Sequence, residues 1–269
     1  MPFLKLRDLS ICYHSVGRGE ALILIPGFAS GAWAWFRQIE NLAKDFQVIT
    51  FDPRGIANSS LGDGETMVSI ETIADDIAAL LDELKIERAN ILGISFGGFV
   101  AQEFALAYPD KLKKLILACT SFGGANHVAP AWEVQAAFVS TDDLNKQERI
   151  RKFIVPAFTP DFYHAHPDVV EQVCQLREQN YVPETVYMQQ LESATAFDAE
   201  KRVSRIQAET LILTGDTDVV VPCENSRNLA RTISNSKLEI IKGGSHMFFI
   251  EKAGEFNRIV TNFLEGKSV

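Results

Sequence analysis

The stretch Asn90-Ile91-Leu92-Gly93-Ile94-Ser95-Phe96-Gly97-Gly98 decides the fold class of this 269-residue chain. Its first half belongs to an apolar run over 89–94 that predicts a buried strand, and its second half opens a helical segment over 96–107. Glycines two residues before and after Ser95 let the strand and the helix approach without a clash between Cβ atoms. The stretch therefore predicts a tight strand–turn–helix junction that exposes the hydroxyl of Ser95.

The pattern on either side of this junction is that of an α/β fold. Short apolar runs alternate with longer amphipathic segments, which is typical of a mostly parallel, twisted sheet with helices on both faces. The runs from residue 47 onward lack polar alternation, as expected for central strands covered on both sides. The predicted strands are 10–16, 21–25, 47–51, 89–94, 114–118, 210–214 and 238–241.

Two further segments have helical periodicity. In 70–84 the apolar residues recur on one stripe, while the acidic residues, including Asp76, are placed on the opposite face. In 251–265 the apolar residues from Phe256 to Phe263 share one side. Both segments are predicted to cover the sheet with their apolar faces.

The alternation stops between about residues 124 and 205. This stretch has no convincing strand, but it holds several helical pieces, five prolines and nine aromatic residues. It is too long for a loop. We therefore expect a core of residues 1–124 and 205–269, with 125–204 inserted as a helical cap over one edge of the sheet.

Acidic side chains outnumber basic ones, 35 to 26, and the formal net charge is −9. Without a Lys/Arg-rich run, this balance argues against nucleic acid and against anionic membrane surfaces as partners. No apolar stretch reaches the roughly 18 residues of a spanning helix, and charges at 5, 7 and 8 interrupt the place of an export signal. The four cysteines are scattered. We expect a cytoplasmic protein with reduced thiols and no metal or cofactor.

The residues around Ser95 suit nucleophilic chemistry. A turn of this kind holds serine in a strained backbone conformation, and the helix that begins at Phe96 directs its N-terminal dipole to the same point. The loop Pro26-Gly27-Phe28-Ala29-Ser30-Gly31 follows a strand and is rich in small residues. Such a loop can aim backbone N–H groups at a developing oxyanion. The combination favours acyl transfer.

These motifs resemble those of the capped α/β-hydrolase superfamily, in the branch of small esterases, enol-lactonases and cofactor-free haloperoxidases. The resemblance covers about residues 20–124 and 205–265. It implies an α/β-hydrolase fold and an oxyanion hole formed by the backbone N–H groups of Phe28 and Phe96. In the usual His-Gly-x motif, Pro26 replaces the histidine, which changes the support of Phe28 and leaves the donor in place.

The loop Asp52-Pro53-Arg54-Gly55-Ile56-Ala57-Asn58-Ser59 resembles another motif of the superfamily, Asp-x-Arg-Gly-x-Gly-x-Ser. Ala57 stands where glycine is usual, so we expect a different local backbone there. We interpret Asp52 and Arg54 as a structural ion pair that braces this loop.

The resemblance also implies a catalytic triad in the chain order serine, acid, histidine. The segment Gly215-Asp216-Thr217-Asp218-Val219-Val220-Val221-Pro222 resembles the pattern Gly-x-x-Asp-x-x-x-Pro, which selects Asp218 over Asp216. Of the five histidines, only His246 lies in a Gly-rich loop after the final strand. We therefore predict Ser95 as nucleophile, His246 as general base and Asp218 as the acid that orients the imidazole.

The pocket is expected to lie between the cap and Ser95. Large apolar side chains suit acyl or alkyl groups, and we predict Trp132, Phe138 and Met247 among its walls. Cys119 follows a central strand and is interpreted as a buried, inert thiol close to the pocket. The pair His164 and His166 has no further ligands nearby in sequence, so no metal site is predicted.

The expected activity is hydrolysis of a small carboxylic ester or lactone through an acyl-enzyme. An enol-lactonase or C–C bond hydrolase with the same triad is an alternative, and it would need a cap cation for a substrate carboxylate. Arg149, Arg151 and Arg177 are the candidates. Two further functions fit the same motifs: that of a cofactor-free haloperoxidase or perhydrolase, and that of a non-catalytic receptor or signalling protein on a hydrolase scaffold.

Overall fold

The computed structural model describes residues 2–6, 9–62, 67–139 and 144–268, with the side chains of 137–139 left out. Its strands form one eight-stranded sheet. They are β1 Phe3–Leu6, β2 Leu9–Val16, β3 Glu20–Ile25, β4 Phe46–Phe51, β5 Ala89–Ile94, β6 Leu112–Ala118, β7 Glu209–Gly215 and β8 Ser236–Ile241.

The sheet is parallel except at one edge. Its order is β1-β2-β4-β3-β5-β6-β7-β8, and β2 pairs antiparallel with both β1 and β4. The α/β fold predicted from the sequence is confirmed, and each of the seven predicted strands matches one of β2–β8 to within two residues at either end. The edge strand β1 was not predicted because four residues are too few to show a strand pattern.

Helices flank the sheet on both faces. They are α1 Ile39–Leu42, α2 Ile70–Glu83, α3 Phe96–Ala107, α4 Trp132–Val139, α5 Lys146–Ile154, α6 Pro160–Ala165, α7 Pro167–Gln179, α8 Glu184–Ala196, α9 Glu224–Thr232, α10 Phe248–Glu251 and α11 Ala253–Leu264. The helix predicted over 251–265 is α11, which begins two residues later because Lys252 leaves the helical conformation and separates it from α10. Among the described helices, none is both long and apolar enough to cross a membrane.

Two apolar layers cover the two faces of the sheet. Along β3, Ile23 and Ile25 pack into the layer formed with α2 and α3, whereas Leu22 and Leu24 pack into the layer formed with α11 and the cap. Successive strand residues point to opposite faces, so a continuous apolar run supplies both layers. This explains why the inner strands β4–β7 lack a regular polar alternation. The run over 238–241 was also expected to be a central strand, but β8 lies at the edge of the sheet.

The prediction for Asp76 was wrong. Asp76 lies in α2 but is buried, and its carboxylate binds Arg54 through Nε (2.7 Å) and Nη2 (2.5 Å). The predicted Asp52–Arg54 ion pair is therefore replaced by a pair between a loop and a helix. The carboxylate of Asp52 instead accepts the backbone N–H of Ala32 (2.9 Å) and the side-chain amide of Asn58 (3.0 Å). Helical periodicity did not predict the burial of Asp76, because a charged side chain can be buried where an oppositely charged side chain binds it.

The segment after β6 leaves the sheet as a helical insertion. Its described residues form α4–α8 and no strand, and a bridge between Gly123 and Asp198 joins its two ends. Ala199 donates its N–H to the carbonyl of Phe122 (2.8 Å), and Arg202 pairs with Glu103 of α3. The last residues of the expected cap, from 199 onward, therefore pack on the core.

Candidate active site

Ser95 lies in the turn between β5 and α3. Its φ of 52° and ψ of −121° are unfavourable for a residue with a side chain. Neighbouring bonds stabilise the turn, because Ser95 N–H donates to the carbonyl of Ala118 (2.9 Å) and the hydroxyl of Thr120 donates to the carbonyl of Ser95 (2.9 Å). A Cβ added to Gly97 would lie 2.4 Å from the carbonyl oxygen of Ile25, so this position requires glycine. The turn is thus held in a strained conformation.

Asp218 follows β7 and is almost fully buried. Its Oδ1 accepts the backbone N–H groups of Val220 and Val221, each at 2.8 Å. Its Oδ2 lies 2.8 Å from Nδ1 of His246. Three hydrogen bonds hold this carboxylate, so the orientation of the imidazole is fixed by a rigid partner.

His246 is placed by a loop that is joined to the Asp218 turn. The carbonyl of Gly244 accepts both the N–H (3.0 Å) and the hydroxyl (2.8 Å) of Thr217. A Cβ on Gly215 would lie 2.0 Å from the same carbonyl oxygen, so the two backbones approach closely only because Gly215 has no side chain. The close contact of the two loops brings Asp218 and His246 together.

Asp216, which the sequence pattern did not favour as the acid, has a different partner. Its Oδ1 accepts the N–H of Gly243 at 2.6 Å, within the loop that leads to His246. Asp216 is exposed, whereas Asp218 is buried against the imidazole. The geometry therefore places Asp218, and not Asp216, beside His246.

Ser95 and His246 line one pocket, together with Gly27 and Phe28. A Cβ on Gly27 would lie 3.6 Å from the Cβ of Ser95, so the loop after β3 passes directly beside the serine. The cap supports this loop, since Gln190 of α8 accepts the N–H of Ala29 at 2.8 Å. Phe96 does not line the pocket with its ring, which packs edge-on against Phe28 at 6.2 Å.

The rest of the pocket wall is mostly apolar. The cap contributes residues from α5 and the turn after it, and Met247 also lines the pocket. Trp132 does not contribute, because it lies at the start of α4 with 72% of its surface exposed. The side chain of Phe138 lies outside the described residues. The wall residues that the sequence did not single out are Trp33, Ala34, Phe153, Ile154, Ala157, Val220, Phe249 and Ile250.

A helical spacing could have identified the cap wall. Ile150, Phe153, Ile154 and Ala157 follow the i, i+3, i+4, i+7 pattern of one helix face. The aromatic content of the cap led instead to the prediction of Trp132 and Phe138 as pocket residues. The periodicity of α5 was therefore the better signal for a face that packs inward.

Cys119 lies close to the His246–Asp218 pair and is one of the residues that line the pocket. Burial, with a smaller contribution from the charge of Asp218, raises the pKa of this thiol well above its ordinary value. Possible ligand atoms of Cys119, Asp218 and His246 lie within 4.8 Å of one another. The hydrogen bond between Asp218 and His246 already engages one atom of each, so we interpret the group as a hydrogen-bonded pair beside a neutral thiol.

Comparisons with known proteins show which chains and structures this protein is similar to. Over 270 residues the chain is 28% identical to 2-hydroxy-6-oxo-6-phenylhexa-2,4-dienoate hydrolase from Comamonas testosteroni, covering 96% of this chain and 92% of that protein. It is 28% identical to 3-oxoadipate enol-lactonase 2 from Acinetobacter baylyi, covering 96% and 94%. The solved structure of a meta-cleavage product hydrolase from Pseudomonas fluorescens IP01 is similar with a TM-score of 0.83 and 25% identity, covering 99% and 98%.

The family match extends over most of the chain. Residues 20–253 match the family described as alpha/beta hydrolase fold. This range contains the sheet from β3 onward, the turn of Ser95 and the loop of His246. The chain therefore belongs to the alpha/beta hydrolase fold family.

Proposed function

We propose that this protein is a serine hydrolase that cleaves a small carboxylic ester or lactone through an acyl-enzyme. The observation that carries the proposal is the 2.8 Å hydrogen bond between Asp218 and His246, in a pocket that also contains the strained Ser95. Because Asp218 engages Nδ1, Nε2 is the nitrogen left to accept the proton of Ser95. Ser95 then attacks the carbonyl carbon, and His246 returns the proton to the leaving alcohol.

The oxyanion would be stabilised by backbone N–H groups of Phe28 and Phe96. Two observations support this assignment: the position of Gly27 beside Ser95, and the place of Phe96 directly after it at the start of α3. The hydrogen bond from Ala29 to Gln190 holds the loop at this position. Water attacks the acyl-enzyme in the second half of the reaction, with His246 again as base.

The test is turnover of short p-nitrophenyl esters combined with labelling by a fluorophosphonate probe. Wild type should hydrolyse the esters and carry the probe on Ser95. Ser95→Ala should lose about 10⁴-fold or more in kcat and remain unlabelled, with unchanged circular dichroism. Turnover by Ser95→Ala, or labelling at another residue, would refute the proposal. Labelling of wild type without turnover of any ester or lactone would favour a non-catalytic or perhydrolase function.

A second candidate, hydrolysis of an ester, lactone or C–C bond in a substrate that carries a carboxylate, is favoured by Arg177 of α7. Its Nη1 is shielded from solvent and has no hydrogen-bond partner. Burial lowers its pKa to about 10. Among the residues described here, no carboxylate forms an ion pair with it. A partly buried guanidinium whose shielded Nη1 has no partner is unfavourable, so this site would gain from a bound anion.

Arg177 lies near Tyr187, which packs on the pocket residue Phe28. Its charge lowers the pKa of Tyr187, opposing the larger effect of burial. The ring of Tyr187 packs edge-on against that of Phe28 at 4.7 Å, and Phe28 lines the pocket. The other two candidate cations are exposed, and Arg151 already pairs with Glu171. The names of the two relatives refer to a dienoate and an oxoadipate lactone, both of which are acidic compounds.

A pair of substrates distinguishes the two candidates. Arg177→Met should lower kcat/KM for a mono-p-nitrophenyl ester of a dicarboxylic acid by about 10- to 100-fold, the value of a charged hydrogen bond. It should leave kcat/KM for a neutral ester of the same length unchanged. Arg149→Met, on the exposed face of α5, is the matched control. An equal loss of kcat/KM for both esters would contradict the proposal that the substrate carries a carboxylate.

A further inference from the structure

We infer that Glu251 is a positioning residue that fastens the His246 loop to the cap and thereby holds the general base in place. The inference rests on the proposed function. Glu251 is the last residue of α10, five positions after His246. In a helix of only four residues the helix dipole does little to place this carboxylate. Its hydrogen bonds show what it binds instead.

The two carboxylate oxygens of Glu251 accept from two different parts of the chain. Oε1 accepts the backbone N–H (2.5 Å) and the hydroxyl (3.0 Å) of Thr159, the N-cap residue of α6 in the cap. Oε2 accepts the backbone N–H of Ser245 at 3.1 Å. One side chain therefore connects the cap to the residue directly before His246.

The residue directly after His246 is also bound to the cap. Met247 donates its N–H to the carbonyl of Ala157 at 3.1 Å, two residues before Thr159. His246, Met247 and Ala157 all line the pocket. The backbone of His246 is thus held on both sides by the cap segment 157–159, while Asp218 holds its ring. Displacement of that segment would move the base relative to Ser95.

The chemistry of this junction requires a carboxylate. All three groups that face Glu251 are N–H or O–H donors, and an ionised carboxylate only accepts. Glu251→Gln keeps the shape but presents an NH₂ group to at least one of these donors. The variant therefore breaks one side of the connection with no change in side-chain size.

The first measurement is kinetic. Glu251→Gln should lower kcat for p-nitrophenyl acetate by about 10- to 100-fold with KM changed less than about threefold, because a small displacement of a catalytic group costs rate more than binding. Glu255→Gln is the matched control: it makes the same charge change at an exposed position of α11. It should leave kcat within about twofold of wild type.

The second measurement separates positioning from stability. The Nδ1 proton between His246 and Asp218 gives a low-field ¹H NMR resonance, which should broaden through faster exchange in Glu251→Gln and stay unchanged in Glu255→Gln. Hydrogen exchange at Ser245 should accelerate in the same variant. If wild type is active and both glutamine variants match it in kcat and in this resonance, the inference is wrong. An inactive, unlabelled wild type would instead refute the proposed function.

A milder variant covers the case in which Glu251→Gln does not fold. Thr159→Val removes the hydroxyl that donates to Glu251 and also accepts the N–H of Phe162 (3.2 Å), whereas Thr159→Ser retains both bonds. Thr159→Val should lower kcat by about two- to fivefold, since the hydrogen bond to Glu251, of about 1 kcal/mol, is lost. Thr159→Ser should restore the wild-type value. Identical kcat values for the two variants would overturn the inference.

Discussion

Asp216 and Asp218 show how two residues of one type on one turn acquire different roles. Asp218 is buried and accepts three hydrogen bonds, of which one comes from the imidazole of His246. Asp216 is exposed and accepts the backbone N–H of Gly243 at 2.6 Å. The carboxylate of Asp218 orients the imidazole that would carry the proton, whereas the carboxylate of Asp216 braces the loop that leads to His246.

This difference predicts different kinetic effects. Asp218→Asn should lower kcat by about 10³- to 10⁴-fold, because an amide cannot hold the imidazole in the correct tautomer. Asp216→Asn retains an acceptor oxygen for Gly243 and should lower kcat by less than about tenfold. Both variants are to be compared side by side with the same ester, after urea titration has shown that each is folded. A larger loss in Asp216→Asn would mean that the acid is assigned to the wrong residue.

At the scale of elements, α5 forms the cap wall of the pocket. Phe153 and Ile154 line the cavity from this helix, whereas Trp132 of α4 is exposed. The two helices differ in which face they turn inward. Substrate length should therefore depend on α5 and not on α4.

Phe153→Ala tests this dependence, with Trp132→Ala as control. Phe153→Ala should shift the ratio of kcat/KM for p-nitrophenyl octanoate to acetate by about 10-fold or more toward the longer chain, since each buried methylene contributes roughly 1 kcal/mol. Trp132→Ala should leave this ratio within about twofold. An equal shift in both variants would show that the cap acts through its general mobility and not through the α5 wall.

The segment that leads into the cap contains His127. Its Nδ1 lies 3.0 Å from the hydroxyl of Ser121, and burial lowers the pKa of this imidazole below its ordinary value. The folded protein therefore resists protonation of His127, while the unfolded chain takes up the proton near pH 6.5. Stability is unaffected by this group at neutral pH and falls as the pH drops below about 6.5.

Urea titrations at pH 7.5 and pH 5 measure this effect. The free energy of unfolding of wild type should fall between the two pH values, and the fall should be smaller in His127→Gln. His164→Gln, a substitution of an exposed histidine in α6, should leave the difference between the two pH values unchanged. The same acid dependence in all three proteins would assign it to groups other than His127.

At the scale of the whole molecule, the cap and the sheet share their apolar layers. Val186 and Phe197 pack with α2 and α3, whereas Ile154, Phe158 and Val173 pack with α11. Hydrogen bonds add to this contact, among them those of Gln190 and Glu251. Among the cap residues that the structure describes, no apolar layer is separate from the core.

Shared layers predict a single unfolding transition. Cys174 lies in the cap and Cys119 in the core, and both are buried. Both thiols should become reactive toward a disulfide reagent at the same urea concentration, and this concentration should match the midpoint from circular dichroism. Cys174→Ser and Cys119→Ser assign the signals. Reaction of Cys174 at a lower urea concentration would show that the cap unfolds first.

Local sequence patterns determined much of this protein. The apolar runs of β4–β7 predicted inner strands because strand residues buried on both faces are mostly apolar along their length. The turn of Ser95 was recognisable because a strand, a helix and two glycines meet there in nine residues. Asp218 was selected over Asp216 because the turn resembles a pattern of the α/β-hydrolase superfamily, and in the structure Asp218 lies next to His246.

Other features depended on contacts between segments far apart in sequence. Asp76 is buried because Arg54, 22 residues earlier, meets it, and helical periodicity contains no information about that partner. Trp132 lies outside the pocket and Phe153 inside it because the packing of α4 and α5 on the core decides which face turns inward. The roles assigned to Arg177 and Glu251 likewise arise from neighbours that only the tertiary structure brings together. A short motif encodes its own backbone conformation, whereas the surroundings of a cap residue are set by the packing of the whole chain.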